Sequence, residues 1–199
     1  MALNWKQWSI KDIIYGIIVP VIVVLAIVGI SKISSIVGYS SASAGIVIGI
    51  TMELFELSVI VAVPLMLGLI WNQWAGGASG FLMGSLYAFY WSSSFHGAAG
   101  SGTVLLACVL SSMLIGYMAG ALNKGSQDFR RLVISGVTAT AIGGAILFGI
   151  FLLSPANVVT GLNGLLFTVL PRLACGALIP VLAKVFFWYG IGMDKKTNQ

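Results

Sequence analysis

The feature that most constrains this chain is a series of long apolar runs that carry almost no charge. A membrane-spanning helix needs about 20 consecutive and mostly apolar residues. Six runs meet this requirement or come close to it, with approximate bounds of 13–31, 44–71, 76–91, 103–122, 132–153 and 164–189. We therefore predict an all-α protein, a polytopic membrane bundle of six transmembrane helices that forms a single domain over residues 1–199.

The composition supports a location in lipid. Only 8% of the residues are charged and 59% are hydrophobic, whereas about 25% of the residues of a soluble domain are charged. A surface so poor in charge cannot face water, so lipid must cover much of it. We predict a multi-pass protein of the plasma membrane.

Cys108 and Cys175 lie inside apolar runs, where they resemble small buried hydrophobic residues rather than a disulfide or a zinc site.

The positive charges predict the orientation of the bundle. Lys and Arg concentrate in short cytoplasmic loops of membrane proteins. They form three groups here: Lys6 with Lys11, then Lys124 with Arg130 and Arg131, then Lys195 with Lys196. An even number of spans places all three groups on one side, with Lys32 as the exception. We predict that both termini are cytoplasmic and that the loops 92–102 and 154–163 are external. This distribution is typical of membrane topology, so we expect no nucleic-acid partner.

Four charged residues lie inside the apolar runs, and one of them, Lys184, is near the predicted cytoplasmic end of the last run. A charge in the bilayer core costs roughly 2.5–3.5 kcal/mol on insertion scales. Glu53 and Glu56 are three residues apart and share a helix face, and Arg172 follows Pro171 at a similar depth. Two interpretations stay open: a buried ion pair that fixes helix register, or a ligand-binding site. Two carboxylates against one arginine leave an acidic excess, which suits a cationic or amine-bearing ligand or a proton.

Aromatic and polar residues collect on the predicted external side. Tyr90, Trp91 and His96 lie at the end of the third run and in the loop after it. An aromatic belt at the lipid interface explains the first two without a function. The alternative is a stacking platform for a planar ligand, with His96 as a hydrogen-bond partner. Asn163 is a further polar candidate, although turn chemistry explains it equally well.

Small residues recur at intervals of four in several runs. The sets are Gly76, Gly80 and Gly84; Gly116 and Gly120; Gly136, Thr140 and Gly144; Ala139 and Gly143; and Ala145 and Gly149. Small residues at this spacing let helix backbones approach closely within a membrane. We predict helix packing inside one bundle, with a docking face for another subunit as the alternative.

Familiar catalytic motifs are missing from the sequence. There is no phosphate-binding loop of the G-x-x-x-x-G-K-[ST] type, no H-E-x-x-H, no C-x-x-C and no second histidine. These motifs carry nucleotide hydrolysis and metal chemistry. We therefore predict that the chain is not an enzyme and that it holds neither a metal ion nor another cofactor.

Two short motifs and the overall layout resemble a known family. Residues 63–68 (VPLMLG) with 75–80 (AGGASG) are similar to a Pro…Gly…Gly run, and 170–173 (LPRL) is similar to a "PR" stretch, in the S components of energy-coupling-factor transporters. These are small prokaryotic membrane proteins that bind vitamins, with six helices and cytoplasmic termini. The resemblance implies a substrate site near the outer face, under the loop 34–45. It also implies a membrane coupling subunit and two cytoplasmic ATPases as partners.

Three functions remain open at this point. The leading hypothesis is a substrate-binding membrane subunit for uptake of a small, vitamin-like organic nutrient, energised by separate coupling and ATPase subunits. Its site would contain Glu53, Glu56 and Arg172, together with the external aromatic and polar residues. The first alternative is an accessory subunit of a larger membrane complex with no ligand of its own. The second is a small proton-coupled transporter that uses Glu53 or Glu56.

Overall fold

Helices make up almost all of the chain that the computed structural model describes, which is residues 56–95, 101–154 and 161–188 with Ile10 and Ile18. Within these residues there is no strand, and the predicted all-α class is confirmed. The helices are α1 (Leu57–Ile70), α2 (Gln73–Phe95), α3 (Ser101–Asn123), α4 (Phe129–Leu152) and α5 (Gly161–Trp188). The predicted first span, 13–31, lies outside the described residues except for Ile18.

Three of these helices, α3, α4 and α5, are long and apolar enough to cross a membrane. Helix α5 exposes many large apolar side chains, among them Leu162, Phe167, Leu178 and Trp188. An apolar surface of this extent is stable against lipid but not against water. The helix α1, by contrast, lies in the interior, where Ile60, Leu65 and Leu69 are almost fully buried.

The helix bounds correct the predicted third span. Helix α2 covers 73–95 rather than 76–91, so Ser92 to Phe95, predicted as loop, are helical. A serine costs only a few tenths of a kcal/mol in a helix, and a backbone near lipid keeps its hydrogen bonds most easily as helix. The turn before α2 is shorter than predicted because the Asn72 side chain caps the helix, accepting a 2.8 Å hydrogen bond from the Ala75 amide.

The loop between α3 and α4 forms one charged end of the bundle. Helix α3 stops where Lys124 and Gly125 adopt positive φ angles of 51° and 69°. Arg131 donates two 3.1 Å hydrogen bonds to the carbonyl of Leu122, which is in the last turn of α3. Lys184 of α5 donates a 2.8 Å hydrogen bond to the loop carbonyl of Gln127. We call this region, with Lys124, Arg130, Arg131 and Lys184, the cationic end.

Glycines bring α2 and α3 into backbone contact. A Cβ atom at Gly84 would lie 2.6 Å from the carbonyl oxygen of Cys108. Gly76 faces Gly116 and Gly80 faces Ser112 at similarly short range, and Gly136 of α4 faces Gly176 of α5. The predicted packing inside the bundle is therefore confirmed at these positions. Gly149 differs, because among the described residues no heavy atom of a neighbour lies within 4 Å of its Cβ position.

The first part of α1 is π-helical, from Leu57 to Ala62. The Val63 amide donates to the carbonyl of Ser58, five residues earlier. The next residue, Pro64, has no amide hydrogen and leaves the Ile60 carbonyl without its usual α-helical donor. The buried hydroxyl of Ser112 on α3 supplies that bond, at 2.9 Å. The irregular segment is thus stabilised by a neighbouring helix.

Replacing Ser112 by alanine is expected to lower the free energy of unfolding by about 1–2 kcal/mol, because the Ile60 carbonyl loses this buried donor. Ser85→Ala is the matched control. The Ser85 hydroxyl donates to Phe81 within its own helix, so its loss should change stability very little. Equilibrium unfolding in mixed detergent micelles measures both variants. Equal stability of the two would contradict the role given to Ser112.

Candidate functional site

Arg172 is a charged residue buried in the middle of the long helix α5. Its side chain is only 6% exposed, and its Nη1 donates a 2.7 Å hydrogen bond to the Thr168 carbonyl one turn earlier. The aliphatic part of the side chain runs along α4, where a Cβ atom at Gly144 would be 3.4 Å from the Arg172 Cδ. The absence of a side chain at Gly144 therefore leaves room for this arginine between two helices.

Glu56 is the acidic partner of Arg172. This residue directly precedes α1, and its Oε1 accepts a hydrogen bond from the Nη2 of Arg172. Its Oε2 accepts a 2.9 Å hydrogen bond from the hydroxyl of Tyr87 on α2. One carboxylate thus joins three helices through residues that are 31 and 116 positions from it in sequence. We call Glu56, Tyr87 and Arg172 the charged cluster.

The electrostatics of the charged cluster are nearly balanced. An arginine and a carboxylate cancel in net charge, and a low-dielectric interior strengthens their attraction. Arg172 nevertheless has a spare donor, because its buried Nε has no hydrogen-bond acceptor among the described residues. The Glu56 side chain is 17% exposed. The cluster therefore combines a satisfied ion pair with one unused N–H group.

The charged cluster lies far from the cationic end. Arg172 precedes Lys184 by twelve residues on α5, about 18 Å along the helix axis. Tyr87 is fourteen residues beyond Gln73, where α2 begins beside the cationic end, or about 21 Å. The hydrocarbon core of a bilayer is about 30 Å thick. If the cationic end lies at one interface, the cluster is in the opposite half of that core.

The other predicted site residues are distributed differently. Glu53 and His96 lie outside the described residues. Tyr90 and Trp91 belong to the last turns of α2, three and four residues after Tyr87 and farther from the cationic end. Asn163 is exposed in the first turn of α5, nine residues and about 14 Å from Arg172 along the helix.

Tyr87 is the residue that sequence reasoning missed. Its side chain is 2% exposed, and its hydroxyl requires a partner at that depth. The sequence carried a signal, because Tyr87 is one helical turn before Tyr90 and Trp91, which were predicted to belong to the site. An ion pair between Arg172 and a glutamate was one of the two interpretations left open by the sequence. The structure contains this pair, and Glu56 is the partner.

Comparison with known proteins adds no assignment to this geometry. No protein-family model, curated protein or solved structure matches the chain. The functional argument therefore rests on the charged cluster, the exposed apolar helices and the charge distribution of the chain.

Proposed function

We propose that this chain is the substrate-binding membrane subunit of an uptake system for a small organic nutrient, with energy supplied by separate coupling and ATPase subunits. The observation that carries the proposal is the charged cluster, a glutamate–arginine–tyrosine group held inside an apolar helix bundle. The proposal includes six spans, cytoplasmic termini and a multi-pass location in the plasma membrane, as an S component of an energy-coupling-factor transporter would have.

Topology supports an external position for the site. Positively charged loops stay in the cytoplasm. The loop before α4 and the first turn of α4 carry Lys124, Arg130 and Arg131 against one acidic residue, Asp128. With the cationic end inside, the charged cluster belongs to the external half of the bundle. A nutrient arriving from outside would reach that half first.

The chemistry of the cluster supports ligand binding over a purely structural role. Replacing a buried ion pair by apolar residues of similar size is often neutral or stabilising, so stability alone is a weak reason to keep charges in lipid. The unused Nε–H of Arg172 suits a hydrogen-bond acceptor on the ligand, such as a carboxylate or a ring carbonyl. Tyr90 and Trp91, one turn farther out, would supply stacking for a planar ring.

An accessory subunit without a ligand is the second candidate. The observation that favours it is the apolar face of α5, where Leu166, Leu170, Leu178 and Leu182 are exposed along one helix. A face of this kind suits either lipid or another transmembrane subunit. On this hypothesis the charged cluster only fixes the register of α1 and α5.

Thermal unfolding of the purified protein tests the leading proposal. A panel of water-soluble vitamins is tested singly, and a ligand that binds only the folded state stabilises it by about 2.7 kcal/mol at a hundred times its dissociation constant. We expect at least one compound to raise the melting temperature. The double variant Glu56→Gln with Arg172→Met should lose this shift while remaining folded.

One matched control and two contrary outcomes make the test decisive. Lys184→Met removes a cation from the same helix at the cationic end, and we expect it to keep the ligand-induced shift. A double variant that still responds to the ligand would exclude the cluster as the binding site. If the protein always purifies with the same partner subunits and responds to no compound, the result favours the hypothesis of an accessory subunit without a ligand.

A further inference from the structure

An apolar groove of about 610 Å³ runs along the outside of α2 and α3. Its residues are Trp74, Gly77, Ala78, Phe81, Leu82, Met113, Leu114 and Tyr117. Trp74 is 48% exposed and Phe81 51%, so these two rings form an open rim. None of the charged cluster residues lines this groove.

The groove is a consequence of the close contact between the two helices. Glycines hold the α2 and α3 backbones together, and the next positions on the outer side of α2 are also small, Gly77 and Ala78. A Cβ atom at Gly77 would lie 3.4 Å from the Cβ of Tyr117, so the floor of the groove is backbone and small side chains. Trp74 closes one end through an edge-to-face contact with Tyr117, with ring centroids 5.5 Å apart.

The closed end of the groove points to the cationic end. The amide of Lys124 donates a 2.9 Å hydrogen bond to the Gly120 carbonyl, so its Cα atom follows directly on the last turn of α3, although the φ angle of this residue is positive. Tyr117 and Lys124 are seven residues apart, so their Cα atoms lie on nearly the same side of α3 and about 10 Å apart along its axis. Lys124 is exposed. Aromatic rings such as Trp74 and Tyr117 prefer the level of the lipid headgroups.

We propose that this groove binds one acyl chain of an anionic phospholipid and that Lys124 holds the phosphate of its headgroup. A phospholipid has the same arrangement of properties as the groove: an anionic group, an interfacial ester region, and then hydrocarbon. The residues that line the groove carry no carboxyl or amino group. Only the end of the groove near Lys124 can therefore distinguish lipids by the charge of their headgroups. This site is separate from the charged cluster and does not depend on the function proposed above.

Native mass spectrometry of the detergent-purified protein tests this site. The protein is titrated with phosphatidylglycerol and, in parallel, with phosphatidylcholine of the same acyl chains. We expect tighter binding of phosphatidylglycerol. Lys124→Gln should weaken it about fivefold, since one cation near a membrane surface contributes about that factor. It should weaken phosphatidylcholine binding less, because the choline cation of that headgroup offsets the charge of its phosphate. Lys184→Gln, a cation engaged with the loop carbonyl, is the charge control and should keep the preference.

A second pair of variants tests the apolar part of the site. Ala78→Phe fills the groove and should abolish the tight binding event, whereas Ala177→Phe adds the same ring to the exposed face of α5 and should not. The proposal would be overturned if the two lipids bound with equal affinity. It would also be overturned if Ala78→Phe bound lipid as tightly as Ala177→Phe. A dimer that forms without lipid and disappears in Ala78→Phe would also overturn it, since a second copy would then occupy the groove.

Discussion

Replacing Arg172 alone by methionine is expected to lower the free energy of unfolding by about 3–5 kcal/mol. The substitution keeps most of the aliphatic volume beside Gly144 but removes the partner of the Glu56 carboxylate. Tyr87 still donates its hydrogen bond to this carboxylate, but the charge–charge attraction with Arg172 is lost in a low-dielectric interior. The cost comes mainly from the loss of the charge partner and much less from lost packing. Equilibrium unfolding in mixed detergent micelles measures it.

The double variant separates the charge from the packing. Glu56→Gln restores neutrality, and its amide oxygen can still accept the hydrogen bond from Tyr87. Combined with Arg172→Met, it should therefore recover most of the lost stability, which a double-mutant cycle reports as a strong coupling between the two positions. Additive effects of the two single substitutions would show that the ion pair contributes nothing as a unit. If the double variant keeps its stability but no longer responds to the ligand, the cluster serves ligand binding and not stability.

Replacing Gly116 by alanine is expected to cost about 3 kcal/mol, the upper part of the usual range for overpacking. A Cβ atom there would lie 3.0 Å from the Cα of Gly76 and still closer to the carbonyl of that residue. These are backbone atoms, so no side-chain rotation relieves the clash. Helices α2 and α3 must separate, and the contacts at Gly80 and Gly84 weaken with them.

Gly149→Ala is the matched control for this substitution. It adds the same methyl group within α4 at a position with no described neighbour within 4 Å. Since alanine favours the helical state over glycine by about 0.5–1 kcal/mol, this variant should be at least as stable as the parent. Thermal unfolding of both proteins in the same detergent measures the difference. Similar melting temperatures would show that α2 and α3 are less tightly packed than the structure indicates.

The helices were the most predictable part of the fold. A segment in lipid must satisfy every backbone polar group internally, so an apolar run of sufficient length already predicts a helix. The predicted spans 103–122, 132–153 and 164–189 correspond to α3, α4 and α5, which begin two or three residues earlier in the structure. The third span was predicted too short because its terminal serines were interpreted as loop.

The glycine spacing was informative for a physical reason. Without a hydrophobic driving force between helices, small residues are the means by which two backbones approach. Their positions in the sequence therefore indicate where helices touch, as those of Gly76, Gly80 and Gly84 do. The spacing does not name the partner helix, and Gly149 shows that it also occurs away from contacts. The π-helical start of α1 had no clear signal beyond Pro64, since the bond from Ser112 joins residues 52 positions apart.

The sequence by itself determined that this chain is built from apolar helices, that small residues join them and that positive charge gathers around residues 124–131. Local properties decide these features: the length of an apolar run, the spacing of glycines and the cost of a charge in lipid. Only the tertiary structure decided that Glu56 meets Arg172, that Tyr87 completes the cluster and that an apolar groove forms along α2 and α3. Those features depend on how each helix is rotated against its neighbours, and that rotation follows from contacts between residues distant in sequence.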